Sequence, residues 1–355
     1  MVEGSSNTVL VAMSGGVDSS VAAALLMEQG CDVTGVFFRF GSAPAGGDPT
    51  LCRAERHAAD ARRVAETLGI ELVEIDVSVE LRRIMDYFAG EYARGRTPNP
   101  CVRCNAIIKF ARLIELANCR GIRHVATGHH ARMGEFAGQP TILRAAARDK
   151  DQSYALFEVP REHLPRASLP IGELDGKSRI RAIARRLGLQ VHDKPDSQDI
   201  CFVPDSDYVA LLRRLAPESL RAGSIVNSAG EVLGAHDGYA RFTIGQRRGL
   251  GVAAGAPMYV TKIDPATAVV TIGPREQVLS DALRACGARW HADMPDEFDA
   301  TVQIRYNHPG ALGRVRITGE SAFEVRFAEP AAAITPGQAA AVYADERLLG
   351  GGWIE

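Results

Sequence analysis

Short apolar runs rich in β-branched residues alternate with amphipathic stretches through the first half of the chain. The runs lie at 8–13, 32–38, 71–77 and 124–127, and their composition is typical of buried strands. The stretches between them have the spacing of helices that bury one face. Repeated strand–helix units predict a parallel sheet with helices on both faces. We therefore expect an α/β, doubly wound domain over residues 1–205.

The pattern changes near residue 205. One more helix is expected at 208–215, and short β-like runs separated by Gly, Pro and Asp then follow. These runs lie at 241–244, 258–263, 268–272, 300–306, 313–317, 323–327 and 339–343. Their spacing predicts two small β-rich, barrel-like modules, a central one at 206–280 and a C-terminal one at 281–355.

Composition excludes several classes of protein. The net charge of −2 excludes a globally basic nucleic-acid binder, although residues 161–190, with seven basic and three acidic residues, could form a local positive face. No run approaches the ~20 apolar residues of a membrane span. The first residues lack the pattern of a signal peptide, so we expect a cytoplasmic protein. Seven cysteines in such a chain do not predict a disulfide framework. Residues 41–50, rich in Gly, Pro and Ala, predict a mobile loop.

The string SGGVDSS at 14–20 stands between the first predicted strand and helix. Its glycines let backbone N–H groups approach an anion, and the helix N-terminus adds positive potential. Hydroxyls of Ser14, Ser19 and Ser20 could donate to phosphate oxygens, and Asp18 could hold Mg²⁺. No lysine follows the glycines, so this is not the GxxxxGK[ST] loop. The alternative interpretation is an ordinary glycine turn that caps a helix.

A second string, RTPNPCVRCN, covers residues 96–105. Cys104 precedes a predicted helix, whose dipole would lower the pKa of the thiol, and Arg96 and Arg103 add positive charge. The alternatives are half of a zinc knuckle, for which a second CxxC is missing, or two inert thiols. Cys201 ends a third string, DSQDIC, and becomes a candidate partner for Cys104.

Two shorter strings follow later elements. Gly128 and His129 come directly after the fourth predicted strand, and ligands of open α/β sheets bind at the carboxyl ends of such strands. Lys150 begins the string KDQSY. Taken alone, His129 would be a packed or surface histidine and Lys150 a solvated charge.

Together these strings resemble bacterial tRNA-specific 2-thiouridylases, a family of the PP-loop ATP pyrophosphatase superfamily. The superfamily pattern is SGGxDS. The family's strings here are TPNP…CN, ATGH, KDQSY, DS…ICF, IGQRRGLG at 244–251, TPGQ at 335–338 and LGGG at 349–352. The resemblance runs from Val9 to the end of the chain.

The resemblance implies a PP-loop domain that uses ATP and Mg²⁺ to adenylate O2 of the wobble uridine in glutamate, lysine and glutamine tRNAs. Sulfur would arrive as a persulfide on Cys201, supplied by a cysteine desulfurase or a sulfur-relay protein, with Cys104 as nucleophile and disulfide partner. The implied nucleotide-binding residues are Ala12, Met13, Ser14, Gly15, Gly16, Val17, Asp18, Ser19, Phe38 and Gly128. The implied tRNA-binding residues are Asn99, Pro100, Cys101, His129, Lys150, Asp151, Gln152, Arg305, Tyr306 and Gln338.

Two departures from the common form of the family stand out. Cys101 occupies the position of an aspartate, which gives three cysteines at one site. Three thiolates could hold a [4Fe-4S] cluster with one iron open. Cys201 is therefore either a persulfide carrier or, together with Cys101 and Cys104, a cluster ligand. Phe38 begins a Phe-Arg-Phe string where the common form has Lys-Asn-Trp. A PP-loop ligase for a small molecule and a non-catalytic RNA- or metal-binding module are the other functions that we consider.

Overall fold

The computed structural model describes residues 7–40, 49–195, 200–203, 207–252 and 255–355. Positions 41–48 of the predicted loop and 196–199 of the DSQDIC string lie outside these ranges. The chain divides into two compact units. Unit 1 comprises 1–83, 101–204 and 346–348, and unit 2 comprises 84–100, 205–345 and 349–355. Within the ranges above, no helix combines the length and the hydrophobicity that a bilayer span requires.

Unit 1 is built on a five-stranded parallel sheet with the strand order β3-β2-β1-β4-β7. The predicted α/β fold is confirmed. The strands are β1 (Thr8–Ala12), β2 (Asp32–Arg39), β3 (Glu71–Asp76), β4 (His124–Thr127) and β7 (Ala167–Ser168). The helices are α1 (Val17–Glu28), α2 (Pro49–Leu68), α3 (Ser78–Ala93), α4 (Pro100–Cys104), α5 (Ala111–Arg120) and α6 (Lys177–Arg186), and α3 continues from unit 1 into unit 2.

Helices cover both faces of this sheet because the central strand β1 is apolar on both sides. Leu10 packs on one face with Val36, Leu113 and Val125. Val9 and Val11 pack on the other face with residues of α1. A strand buried on both faces is the expected arrangement in a parallel sheet.

The segment after α4 departs from the predicted helix at 105–118. A π-helix, Asn105–Phe110, joins α4 to α5, so that the chain is helical without a break from Pro100 to Arg120. Cys104 therefore lies within continuous helical backbone instead of preceding a new helix. π-Helices are rare and occur frequently at functional sites.

An antiparallel hairpin of β5 (Ala131–Phe136) and β6 (Gln139–Arg144) completes unit 1. A short piece of the last strand of the chain, Arg347 and Leu348, pairs with β6. The chain thus returns to unit 1 after passing through unit 2.

Unit 2 contains two β modules and the helix α7 (Tyr208–Leu215). In the first module, β10-β11-β8-β9 form a four-stranded sheet; the strands are β8 (Gly223–Val226), β9 (Val232–His236), β10 (Tyr259–Asp264) and β11 (Val269–Gly273). The expected strand at 241–244 is wrong, since a 3-10 turn, Tyr239–Arg241, leads into irregular backbone there. Phe242 instead inserts into the small core that this sheet covers.

The second module is a closed antiparallel barrel, in which strands pair in the order β12-β15-β14-β13-β16-β17 and β17 returns to β12. Its strands are β12 (Leu279–Trp290), β13 (Glu297–Gln303), β14 (Ala311–Gly319), β15 (Ala322–Ala332), β16 (Ala339–Ala344) and β17 (Arg347–Ile354). Closure leaves no unpaired edge strand. The prediction of barrel-like modules after the α/β domain is confirmed.

Candidate active site

The SGGVDSS string forms the turn between β1 and α1, and it can do so only with glycine at two close approaches of the backbone. Gly15 has φ +69°, and a Cβ there would lie 2.2 Å from the carbonyl oxygen of His57. A Cβ on Gly128, at the end of β4, would lie 2.6 Å from the backbone nitrogen of Ser19. The start of α1 therefore lies against bare backbone, a shape that admits a phosphate chain.

The serine hydroxyl groups of this turn mostly form hydrogen bonds within the turn itself. Ser19 Oγ accepts from the Ser14 N–H at 3.1 Å, and Ser20 Oγ donates to Gly16 O at 2.8 Å. Ser20 is fully buried, so its predicted role as a phosphate donor does not hold. Ser14 is exposed at the mouth of the turn.

Asp18 lies between two basic side chains. Its Oδ2 accepts from Lys177 Nζ at 2.6 Å, and its Oδ1 lies 3.5 Å from His130 Nε2. Burial raises the pKa of the Asp18 carboxyl, but His130 and Lys177 outweigh it and hold the pKa below its ordinary value. Asp18 Oδ1 is buried without a hydrogen-bond partner among the described residues. An ionised carboxylate with an unused oxygen fits a Mg²⁺ ion that accompanies ATP.

The lysines that the glycine string lacks come from distant positions, and the sequence analysis missed them. Lys177 begins α6, and Lys194 Nζ donates to Gly15 O at 2.9 Å and to Asp60 Oδ2 at 2.5 Å. The only signal for them in the sequence is that lysine is rare, since 5 of the 41 basic residues are lysines. Carboxylates reduce the positive face that was predicted at 161–190, because Lys177 pairs with Asp18, Arg185 with Asp193 and Arg186 with Glu28.

The three cysteines of the second and third strings, Cys101, Cys104 and Cys201, lie near enough in unit 1 to interact electrostatically. By accessible surface Cys101 and Cys201 are exposed and Cys104 is half-buried, yet the protein around their sulfur atoms desolvates the thiolates. This desolvation raises the pKa of all three thiols, to about 11 for Cys104, and the positive charge of Lys109 opposes the shift at each of them. The pKa of Cys201 is raised further by Cys104 and Cys101. The predicted low pKa of Cys104 is therefore wrong. Desolvation dominates at Cys104, and Arg103, which was expected to add positive charge there, is paired with Glu158.

Lys109 is held beside the thiols by a buried polar network. Its Nζ lies 3.3 Å from His129 Nε2, and that nitrogen also lies 3.1 Å from Asn105 Oδ1. The other ring nitrogen of His129 lies 2.7 Å from Thr127 Oγ1. Burial and the charge of Lys109 hold the pKa of His129 well below its usual range, so the ring is neutral. In the π-helix the i→i+5 hydrogen-bond pattern puts Lys109 one turn after Cys104.

The chain matches known families along nearly all of its length. Residues 7–205 match a tRNA methyl transferase HUP domain, 210–274 a tRNA methyl transferase PRC-barrel domain, and 280–354 an aminomethyltransferase β-barrel domain. The chain is 46% identical over 348 residues to the tRNA-specific 2-thiouridylase MnmA of Syntrophotalea carbinolica, and the alignment covers 98% of each chain. The chain belongs to the tRNA-specific 2-thiouridylase family.

Other members of this family are nearly as similar. The 2-thiouridylase of Carboxydothermus hydrogenoformans is 45% identical over 356 residues, with 98% of this chain and 97% of the relative covered. That of Geotalea uraniireducens is 44% identical, with 98% and 94% covered.

The tRNA-binding residues implied by the 2-thiouridylase resemblance differ in how available their side chains are. In unit 1, Asp151 binds Arg144 at 3.0 Å, and the Gln152 side-chain oxygen accepts from the His130 N–H at 2.9 Å. Both side chains organise the local backbone. Lys150 is half-buried. His129 is buried within the network described above, a placement that favours a role inside unit 1 over contact with RNA.

Some of the implied tRNA-binding residues in unit 2 have exposed side chains, and others are hydrogen-bonded within the unit. Arg305 and Tyr306, which follow β13, are exposed. Gln338 Nε2 donates to the carbonyl oxygens of Thr97 at 3.0 Å and Pro98 at 3.1 Å. Gln338 therefore positions the backbone that leads to Asn99, which is half-buried, and its contact with tRNA stays a prediction.

Phe38 and Ala12 lie half-buried at the ends of β2 and β1, beside the turn. Among the residues that the structure describes, no three His, Cys, Asp or Glu side chains are arranged to hold a metal ion. The thiols of Cys101, Cys104 and Cys201 thus do not have the arrangement of iron–sulfur cluster ligands in this structure.

Proposed function

We propose that this chain replaces O2 of the wobble uridine of glutamate, lysine and glutamine tRNAs by sulfur, using ATP and a persulfide carried on Cys201. One observation carries the proposal. The neighbouring residues His129 and His130 belong to both halves of the site, because His130 faces Asp18 in the turn after β1 and His129 faces Lys109 beside the cysteines. The phosphate-binding turn and the thiols are thus joined through two consecutive residues of unit 1.

The first half of the reaction activates the base. The uridine O2 attacks the α-phosphorus of ATP, pyrophosphate leaves, and the base becomes O-adenylated. The turn after β1 binds the phosphates through backbone N–H groups, with Lys177 and Lys194 adding positive charge. When bound, Mg²⁺ at Asp18 would offset the phosphate charge.

The second half transfers sulfur. The terminal sulfur of the Cys201 persulfide attacks C2, and AMP leaves, so that the base is joined to Cys201 through two sulfur atoms. The Cys104 thiolate then attacks the Cys201 sulfur, which forms a Cys104–Cys201 disulfide and releases the thiocarbonyl base. An external thiol reduces the disulfide. Desolvation makes a negative charge on these sulfur atoms unfavourable, and the positive charge of Lys109 makes it less so.

The test is to incubate the purified chain with ATP, Mg²⁺, unmodified tRNA and a persulfide donor, and to measure AMP and 2-thiouridine separately. Asp18→Asn should lose AMP formation while it still binds tRNA. Cys104→Ser and Cys201→Ser should form AMP but no 2-thiouridine. Cys119→Ser, on the exposed side of α5, is the matched control and should behave as wild type.

Detectable 2-thiouridine from Cys104→Ser or Cys201→Ser would contradict the assigned roles. ATP turnover with a small substrate and without RNA would favour the small-molecule ligase, and tRNA binding without AMP formation would favour a non-catalytic module. The iron–sulfur alternative is tested by assaying iron and acid-labile sulfide in protein purified without oxygen. A stoichiometric cluster that Cys101→Ala abolishes would replace the persulfide scheme.

A further inference from the structure

The IGQRRGLG string takes no part in the chemistry proposed above, yet its backbone is fixed firmly within unit 2. The Gly245 N–H donates to Val260 O at 2.8 Å, and the Val260 N–H donates to Gln246 O at 3.0 Å, so the string is bound to β10. The Gln246 side chain closes the turn, since it accepts from the Thr243 N–H and donates to Arg248 O, both at 3.0 Å. The turn is therefore built to hold one shape.

This turn is joined to the TPNP string of the same unit. Thr97 Oγ1 donates to Thr243 Oγ1 at 3.4 Å. Thr335 Oγ1 donates to Ile244 O at 3.4 Å, and the next residue, Pro336, accepts from the Thr97 N–H at 2.9 Å. Three separate strings of the sequence, TPNP, IGQRRGLG and TPGQ, thus meet in one place.

The turn presents two adjacent arginines to solvent. Arg247 and Arg248 are exposed, and neither lies within 4 Å of a carboxylate among the described residues. Six other arginines of unit 2 do lie beside carboxylates: Arg94, Arg96, Arg241, Arg284, Arg314 and Arg316. An uncompensated pair on a rigid turn is a preorganised site for an anion.

We propose that Arg247 and Arg248 bind phosphates of the tRNA anticodon arm next to the target uridine. The proposal rests on the function proposed above, which assigns Asn99 and Pro100 to that uridine. Arginine side chains match phosphate through two parallel hydrogen bonds, and such backbone contacts set the register of an RNA without reading its sequence. The turn that carries the pair is joined to the TPNP string through Thr243, so the anion near it when a uridine is bound there is the RNA backbone.

The test compares wild type with the double variant Arg247→Gln/Arg248→Gln. We expect a tRNA dissociation constant about 5- to 50-fold higher, and a plot of log affinity against log salt that is shallower by about one to two. The kcat at saturating tRNA should stay near that of wild type. The matched control is Lys262→Gln/Arg326→Gln, which removes two exposed positive charges from β10 and β15 of the same unit.

Unchanged affinity and salt dependence in the double variant would overturn the proposal, and so would an equal loss in the control. Normal tRNA binding, with slower thiolation from a protein sulfur donor but not from inorganic sulfide, would also overturn it and would assign the pair to an acidic donor protein. Wild type that binds tRNA without forming 2-thiouridine would refute the proposed function and not the arginine pair, because the binding comparison needs no chemistry.

Discussion

At the scale of single residues, the pKa of the Cys104 thiol is raised, whereas the pKa of a reactive cysteine is usually lowered. Its pKa of about 11 lies above the ordinary value because the thiolate is desolvated. The Cys104 thiol is therefore protonated at neutral pH. In the mechanism that we propose, a persulfide on Cys201 would meet no competing thiolate until Cys104 is ionised. Such a site favours ordered sulfur transfer over premature disulfide formation.

This state of Cys104 predicts slow alkylation. Only a thiolate reacts with iodoacetamide, so at pH 8.5 the folded chain should be alkylated at Cys104 roughly 10- to 100-fold more slowly than the same chain in denaturant. The same raised pKa means that the folded state gradually loses stability as pH rises above about 8.5, where the unfolded thiol ionises first. Mass spectrometry of the labelled peptide measures the rate, and equal rates in the folded and unfolded chain would contradict the shift.

A second residue-scale prediction concerns Lys109. Lys109→Met removes the charge that opposes the raised thiol pKa values, so alkylation of Cys104 at pH 9 should slow by a further several-fold. Lys109→Arg should retain most of the wild-type rate, because it keeps the charge. Lys262→Met, in unit 2, removes an equal charge and serves as the control. If Lys109→Met and this control give the same rate, Lys109 does not act on the thiols.

At the scale of elements, the turn between β1 and α1 predicts unequal costs for two similar glycine substitutions. Gly15 and Gly30 flank α1, and both have left-handed φ, +69° and +82°. A Cβ on Gly30 meets nothing within 4 Å, so Gly30→Ala should cost about 1 kcal/mol of unfolding free energy. Gly15→Ala forces the backbone against His57 and should cost several times more, or prevent folding, and should abolish ATP binding. Similar denaturation midpoints for the two variants would contradict this account.

The strands, helices and glycine turn of unit 1 could be predicted because local patterns determine them. The strands predicted at 8–13 and 124–127 match the observed β1 and β4 within a residue. The π-helix at 105–110 could not be predicted, since no local pattern distinguishes it from the α-helix. Nor could the positions of Lys177 and Lys194 at the turn, because contacts between residues so far apart in the chain depend on the whole fold.

At the scale of the whole molecule, the chain crosses between the units within one strand. In β17, Leu348 pairs with Ile142 of β6 in unit 1, whereas Leu349 packs in the core of the barrel in unit 2. Both side chains are buried. Two consecutive leucines therefore belong to different units.

This division predicts different consequences for two adjacent truncations. Leu348→Ala and Leu349→Ala should each cost about 2–4 kcal/mol, since each leaves a cavity in a packed core. Hydrogen exchange should show loss of protection in β5 and β6 for Leu348→Ala, and in the barrel strands for Leu349→Ala. The same set of deprotected strands in both variants would show that β17 is a single cooperative element.

Synthesis on the ribosome gives the shared strand a further consequence. Chains grow from the N-terminus, so a nascent chain acquires the turn after β1 and all three cysteines long before residues 346–348 exist. Until then one edge of β6 is unpaired, and an open strand edge is a template for pairing with other chains. Unit 1 is thus finished only after the barrel strands before residue 346 have been made, and a ribosome that stalls inside the barrel leaves behind a unit 1 with an open strand edge.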